Sequence, residues 1–576
     1  MALLIFFMEN TVNPFESLIA PILAAFPELE ASDIVFNAAP KLELGDVAIP
    51  MFLPARKLKA APPKLSAEFK EKVDFGDLVT EVNPTGPYLN LKLNRPAFSK
   101  DIVTRILADG DRFGSNHSGA GLRMLIEHTS INPNASPHVG RARCAMIGDS
   151  LTRLFRFEDY EVDVHYYVND MGRQIGLLAM IAEEIEDLTF DQILDAYVEA
   201  NERAKVDEDF AEKGYALLSR MEEGDPEVQA MFRNITDLCL KGQLAVLARI
   251  GAQYDTFDRE SKYVKDARLD ALVAQLKEKD AVFVDEKERL VVDLSKLGHE
   301  YEEGRYFVLM RANGSSMYGY RDLAYSMDKN AMGADVNLMV LGEDHKLYAQ
   351  QLKMMLEATG HDSAEAIYYS YILLKDGKMS TRQGTVVLLE DFLDQAAALA
   401  QERVAEQCKD MTPEEQLDIA NQVAVAAIRF AILRVSPNKN VTFDMEAALS
   451  FQGDTGPYIQ YSCARMHSIL RKYDGELPAV PGDAFPVTED AEWILLNKLA
   501  TFPDIINSCV EQRTVSAIAI YALEVARAFT TFYHDCPVLT AETPELIEAR
   551  ALVCKATRQV LANALDLLGL DAPERM

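Results

Sequence analysis

The sequence predicts a multidomain α/β protein: a small N-terminal α/β domain, a parallel-sheet domain interrupted by a helical insertion, and an all-α C-terminal domain. Three observations support this. At 576 residues the chain is too long for one hydrophobic core, so three or four domains are expected. Between residues 116 and 411, apolar runs of strand length alternate with amphipathic runs of helix length, the pattern of a parallel sheet flanked by helices. From Thr412 onward, apolar residues recur at helical spacing as far as Leu570.

The first domain is placed at residues 1–115. Its opening run, MALLIFFMEN, has no basic residue before it and is too short for a membrane span; Met8 is an alternative start. Helices are expected at Phe15–Phe26 and Pro50–Lys59. An alternating strand follows at Tyr88–Leu93, after a turn at Asn83–Pro87. In the second domain the first half reads as strand Met124–Thr129, helix His138–Phe157 and strand Glu161–Val168. The helix carries Cys144, Ile147, Leu151 and Leu154 on one apolar face. A mostly helical, acidic insertion covers about 172–305. The second half returns with strand Val336–Leu341, helix Lys346–Ala358 and strand Ile367–Leu374. Such a Rossmann-like sheet binds ligands at the carboxyl ends of its strands. The third domain, 412–576, opens with Thr412 as N-cap, Pro413 at the first helical position and Glu415 reaching back; a loop is expected at Pro478–Pro486.

The formal net charge is −32, which argues against a nucleic-acid partner unless basic residues cluster locally. Such clusters occur at Arg56, Lys57 and Lys59, between Arg465 and Lys472, and at Arg434 with Lys439. The seven cysteines form no C-x-x-C pair, which suits a reducing compartment and argues against disulfides or a zinc site. No run is read as reaching transmembrane length, so a soluble, cytoplasmic protein with no membrane partner is expected.

Two loops carry the chemistry. Residues 126–150, IEHTSINPNASPHVGRARCAMIGDS, read as a buried strand, a polar loop and a helix opening at His138-Val139-Gly140-Arg141. A helix N-terminus offers free N–H groups and the positive end of the dipole to a phosphate. Gly140 lets the ligand come close, and His138 and Arg141 can donate to phosphate oxygens. The second loop, KDGKMSTRQGT at 375–385, follows an apolar run. Neither is a Walker phosphate loop or a G-x-G-x-x-G turn.

This ordered pair marks the class I aminoacyl-tRNA synthetases. The flanking strings narrow the resemblance: EHTSINP at 127–133, YGYRDLA at 318–324, GEDH at 342–345, GKMSTRQG at 377–384, DTGPYIQY at 454–461 and APERM at 572–576. Together they resemble the arginyl-tRNA synthetase family, from about Gly45 to the last residue. The resemblance implies ligation of L-arginine to tRNA(Arg) with ATP, and Mg²⁺ accompanying the nucleotide, in a monomer. It places His138, Gly140 and Arg141 on the ATP phosphates and Met379 on ATP, with Lys378, Ser380 and Arg382 closing over pyrophosphate. It places Glu127, Asn132, Tyr318 and Asp322 on arginine, and adds Asp344, where other members carry Gln. It assigns Tyr88 and Asn90 to the tRNA corner. The C-terminal domain becomes an anticodon-binding domain, with Tyr458, Gln460, Tyr461, Arg465 and Met576 at the tRNA. Two residues depart from the pattern. Arg141 stands where the family usually has a second His, and Thr381 where it has a second Lys. Ala135-Ser136 supplies no compensating lysine, which leaves Arg382 as the substitute cation. These departures motivate an alternative, a catalytically weakened tRNA-binding paralogue. A different class I ligase would need a neutral pocket, which Glu127 and Asp322 disfavour.

Overall fold

The computed structural model describes residues 15–39, 41–181, 188–300, 302–375 and 387–576. The N-terminal unit is an antiparallel sheet in the order Asn37–Ala38, Val47–Pro50, Tyr88–Leu93, Val79–Thr85. Helices Glu16–Ala25, Phe52–Leu58 and Pro62–Lys72 pack with it. The expected turn at Asn83–Pro87 is shorter than its composition suggests. Asn83, Pro84 and Thr85 pair with Asn90, Leu89 and Tyr88, leaving a two-residue turn at Gly86-Pro87. Pro84 is tolerated because its strand lies at the sheet edge, and Gly86 takes the positive φ of 57° that the turn requires. Trp493, the chain's single tryptophan, comes from the C-terminal domain to complete this unit's core.

The central sheet has five parallel strands: β1 (Arg123–Glu127), β2 (Glu161–Val168), β3 (Thr256–Arg259), β4 (Val336–Gly342) and β5 (Glu365–Tyr369). Their order is β5-β4-β1-β2-β3, so the winding reverses between β1 and β4, where ligands of such sheets bind. Helix α1 (Val139–Phe157) crosses from β1 to β2 and is buried on nearly every side, well beyond the single face expected.

The insertion differs from expectation. Helices Arg173–Ala179, Phe190–Val206, Glu208–Glu223 and α2 (Pro226–Ala248) form a helical lobe. The chain then returns to the sheet as β3, inside the span assigned to the insertion. A small antiparallel sheet follows, ordered Tyr306–Met310, Leu290–Asp293, Val282–Val284. Helices α3 (Tyr318–Ala331) and α4 (Lys346–Ala358) flank the second half of the sheet.

The single strand expected at Ile367–Leu374 is two. β5 ends at Tyr369, and after Ser370-Tyr371 the chain leaves the sheet; Ile372–Leu374 pairs in parallel with Val441–Phe443. Buried Arg143 holds this break, donating to the carbonyls of Ser370 (2.5 Å) and Ser436 (3.1 Å).

The C-terminal bundle contains α5 (Pro413–Leu433), α6 (Gly456–Arg471) and α7 (Pro544–Leu567). α5 opens with the expected Thr412–Glu415 capping box. By length and composition α5 could cross a membrane, which corrects the expectation that no run reaches that length; more than half of its apolar window is buried in the protein. Arg429 of α5 is fully buried and joins the bundle to the sheet domain. It bonds Asp149 Oδ2 (2.7 Å), Ser150 Oγ (3.0 Å) and the Leu568 carbonyl (2.7 Å), and donates to the Ile250 carbonyl.

Candidate active site at the carboxyl edge of the sheet

β1 ends at Glu127, and a strained loop connects it to α1. Thr129 and Ser130 both adopt left-handed backbone, at φ 76° and 46°. His138 is the N-cap of α1, extended at φ −99° and ψ 160°, and its Nδ1 accepts from the Arg141 N–H at 3.3 Å. This places the imidazole proton on Nε2, free to donate. Burial, reinforced by the Arg141 charge, lowers the His138 pKa, so the ring is neutral at neutral pH. A Cβ at residue 140 would sit 3.0 Å from His138 Cε1 and Nδ1, so glycine is what lets the ring lie over the helix start. The Val139 N–H donates to the Val387 carbonyl (3.0 Å), and Arg141 and Ala142 N–H to His138. Among the described residues the Gly140 N–H has no partner, which leaves it for a phosphate oxygen.

Lys378, Met379, Ser380, Thr381 and Arg382 lie outside the described residues. The residues that bracket them are placed. Lys375 pairs with Asp444 at 2.6 Å, and Pro137–Val139 is hydrogen-bonded to Val387 and Leu389. Residues 387–389 are therefore held at the entrance to α1.

At the carboxyl edge, where β1 ends in Glu127, carboxylates and tyrosines cluster. Tyr318 and Asp322 sit one turn apart on α3, and both meet Tyr348 of α4. The Tyr348 hydroxyl donates to Asp322 Oδ2, and the Tyr318 and Tyr348 rings are 5.1 Å apart. Loss of solvent pushes the Asp322 carboxyl up to about 6, with the Glu127 charge adding to the shift and the Tyr348 bond opposing it. The buried Tyr167 hydroxyl also faces Asp322. Glu127 is not free. Lys329, buried on α3, donates to its Oε2 at 2.6 Å and lies 4.5 Å from the Tyr325 ring.

Glu260 is a member of this pocket that the sequence reading misses. It is 1 % exposed, bonds Arg321 Nε at 2.5 Å, and is pushed up to about 7 by burial, with the Asp322 charge contributing. It stands directly after β3, at the carboxyl end of a sheet strand; recognising β3 would point to it. Asn132 presents its side chain to solvent while its carbonyl accepts from Gln243 (2.8 Å). Asp344 is exposed and lines a different feature, an open groove of about 520 Å³ with Glu343, Ser370, Tyr371, Asn438 and Asn440. None of the other four expected arginine contacts lines that groove. His128 is structural: fully buried, lowered to about 4 by desolvation, and bonded through Nδ1 to Thr129 Oγ1 at 2.8 Å.

The expected tRNA residues divide in the same way. Tyr88 is 40 % exposed and meets exposed Phe52 edge-on, ring centroids 5.8 Å apart. Asn90 is buried and donates to the Asn83 carbonyl (3.3 Å), so it braces the sheet and offers no face to a base, contrary to expectation. Gln460 likewise faces inward, fully buried, with Nε2 on the Asp571 carbonyl (2.9 Å), and it anchors the C-terminal tail. Tyr458 packs on the core with its hydroxyl 2.8 Å from Thr530 Oγ1. The Arg465 guanidinium lies between the Tyr461 and Tyr533 rings, at 4.9 and 5.0 Å. Met576 packs against the bundle core.

A parallel sheet with a helix N-terminus on its carboxyl edge, joined to a helical bundle, is the architecture expected of a class I aminoacyl-tRNA synthetase. Family models match along the chain: "Arginyl tRNA synthetase N terminal domain" at 13–93, "tRNA synthetases class I (R), catalytic domain" at 102–445 and "DALR anticodon binding domain" at 459–576. The arginine–tRNA ligase of Methanocella arvoryzae is 37 % identical over 91 % of this chain and 92 % of that protein. That of Methanosarcina acetivorans is 35 % identical over 95 % and 96 %. The solved Thermus thermophilus arginyl-tRNA synthetase is 28 % identical and superposes with a TM-score of 0.78, covering 97 % of this chain and 99 % of that one. The chain belongs to the arginyl-tRNA synthetase family.

Proposed function

We propose that the protein ligates L-arginine to tRNA(Arg) through an arginyl-adenylate. The cluster of Asp322, Glu127 and Glu260 at the carboxyl edge from which α1 starts is the observation that carries this reading: carboxylates suit a guanidinium, and the helix start suits phosphates. In the first step the arginine carboxylate attacks the α-phosphorus of ATP. A P–O bond forms and the bond to the leaving pyrophosphate breaks. In the second, a terminal ribose hydroxyl of tRNA attacks the adenylate carbonyl and AMP leaves. Neither step needs an enzyme nucleophile, so catalysis is positioning plus stabilisation of phosphoryl charge.

His138 Nε2–H, the Gly140 N–H and the Arg141 guanidinium are assigned to the phosphates. Lys378, Ser380 and Arg382 are assigned to pyrophosphate, and Met379 to the nucleotide. Asp322 and Tyr318 receive the arginine side chain, with Glu127, Asn132 and Glu260 completing the pocket. Asp344, in its separate groove, is assigned a lesser part. Exposed Tyr88 at the tRNA corner, and half-buried Arg465 with Tyr461 at the anticodon, are the proposed tRNA contacts; Tyr458, Gln460 and Met576 support the latter. Mg²⁺ is proposed to enter with ATP. Among the described residues no group of three His, Cys, Asp or Glu side chains could hold a metal, and no residue is assigned to one. Domain limits near 115 and 411, a monomer and a cytoplasmic location complete the reading.

The test is aminoacylation of unfractionated tRNA with each of the twenty amino acids, at low and high potassium. Charging with arginine alone supports the reading. No charging by folded protein favours the tRNA-binding paralogue that Arg141 and Thr381 suggest. ATP–pyrophosphate exchange with tRNA present separates the two again.

A further inference from the structure

The loop from Asn132 to Pro137, NPNASP, cannot tie itself down. Pro133 and Pro137 lack N–H groups, and a single internal bond, Ala135 N–H to the Asn132 carbonyl (3.0 Å), is found within it. Its carbonyls need a donor from elsewhere. That donor comes from the helical insertion. Gln243 of α2, fully buried, directs its Nε2 at the carbonyls of Asn132 (2.8 Å), Pro133 (3.4 Å) and Ala135 (2.7 Å). Its Oε1 accepts from the Tyr166 hydroxyl of β2 at 3.1 Å, which fixes which way the amide faces. Tyr166 in turn receives the Ile131 N–H at 3.0 Å. The C-terminal end of α2, just beyond Gln243, is clamped as well. Arg249 pairs with Asp394 at 2.6 Å, and the Ile250 carbonyl accepts from buried Arg429.

We propose that Gln243 is a positioning residue: from the insertion it sets the path of the loop that presents Asn132 to arginine and leads into His138. A neutral amide suits the place. It brings two N–H groups to a cluster of carbonyls without burying a charge, and its oxygen is used by Tyr166. The two left-handed residues just upstream, Thr129 and Ser130, make the loop dependent on such outside anchors. The insertion is therefore part of the active-site scaffold and more than an appended lobe. This rests on the proposed role of Asn132 and His138.

The test is steady-state aminoacylation with Gln243→Glu, which keeps the shape but sets a carboxylate against the carbonyls, and with Gln243→Leu. The KM for arginine is expected to rise on the order of tenfold or more, the KM for ATP to rise less, and the KM for tRNA to stay within about twofold. Tyr166→Phe should give a smaller effect of the same sign in the parent and none in the Gln243→Leu background. A folded Gln243→Leu protein whose arginine KM stays within twofold overturns the proposal. So does an equal loss in all three substrates that tracks the folded fraction, since that is a structural brace alone. Asn132→Ala, run alongside, isolates the underlying reading. If it leaves the arginine KM unchanged, the loop does not contact arginine and the proposal falls with it. If it raises the KM while Gln243→Leu does not, only the proposal fails.

Discussion

The phosphate end and the arginine end of this site lie on the same sheet edge yet hold their polar groups in opposite ways. At the phosphate end, His138 is neutral, Gly140 keeps an unused N–H and the neighbouring Arg141 is half-buried. Apart from the Arg141 cation, the charge there arrives with the nucleotide and leaves with pyrophosphate. At the arginine end, charge is built in and balanced in advance: Glu127 against Lys329, Glu260 against Arg321, and Asp322 held by Tyr348. A transient polyanion is met by donors that can be left solvated between turnovers. A buried cation is met by carboxylates whose charge burial disfavours in its absence, so the protein sets cations or a hydroxyl beside them.

The contrast is tested most severely by Lys329→Met. Removing one partner of a buried pair strands the other charge, so stability should fall by about 3–5 kcal/mol. Denaturant unfolding of the variant measures this. A loss under ~1 kcal/mol would show that Glu127 is solvated and that the two ends are alike.

Next in size is Asp322→Ala. A charge-assisted contact to a guanidinium is worth ~1.5–3 kcal/mol, which raises the arginine KM by one to two orders of magnitude. The ATP KM should stay within about threefold, because Asp322 belongs to the other end. An unchanged arginine KM removes Asp322 from the pocket.

How far the sequence reveals these two ends differs for physical reasons. The phosphate end is legible because its message is local: His138, Gly140 and Arg141 are all but consecutive with a helix start, and α1 and the Thr412 cap form as their residues dictate. The arginine end is assembled from β1, β3, α3 and α4, and its hidden members follow from tertiary context. Thr256–Arg259 is four residues with two charges, too short and polar to be read as a sheet strand, so Glu260 behind it stays hidden. Lys329 reads as a surface lysine until α3 is packed against the sheet. For the same reason the sequence turns Asn90 and Gln460 outward when both face in. Strand and helix patterns say which residues share a face, but a face that packs on another domain looks polar in either case.

The pH response separates the ends without mutation. The Asp322 carboxyl is raised to about 6 in the folded protein, against an ordinary value of 3.8. A carboxyl whose folded pKa is raised contributes stability that is fully present below 3.8 and is lost as pH climbs through about 6. Arginine binding runs the other way, because the guanidinium needs the ionised form. The arginine KM should therefore rise up to tenfold per unit below pH 6, with Glu260, raised to about 7, sharing the titration. The ATP KM should follow this limb less, since Asp322 and Glu260 stand at the arginine end and burial lowers the His138 pKa. Parallel acid limbs in both constants would mean that the two ends titrate as one.

The smallest effect is expected from Arg141→His, and it bears on the phosphate end alone. Arg141 uses its backbone N–H to cap onto His138, a contact that any residue but proline can make. Its side chain adds only a donor for phosphate, and imidazole can supply one over a shorter reach. Turnover in the variant should stay within a few-fold of the parent or improve, with arginine KM unchanged. If turnover is lost altogether, the helix start has been rebuilt around a guanidinium. The phosphate end would then depend on a permanent charge of its own, like the carboxylates around Asp322, and the contrast between the two ends would fail there first.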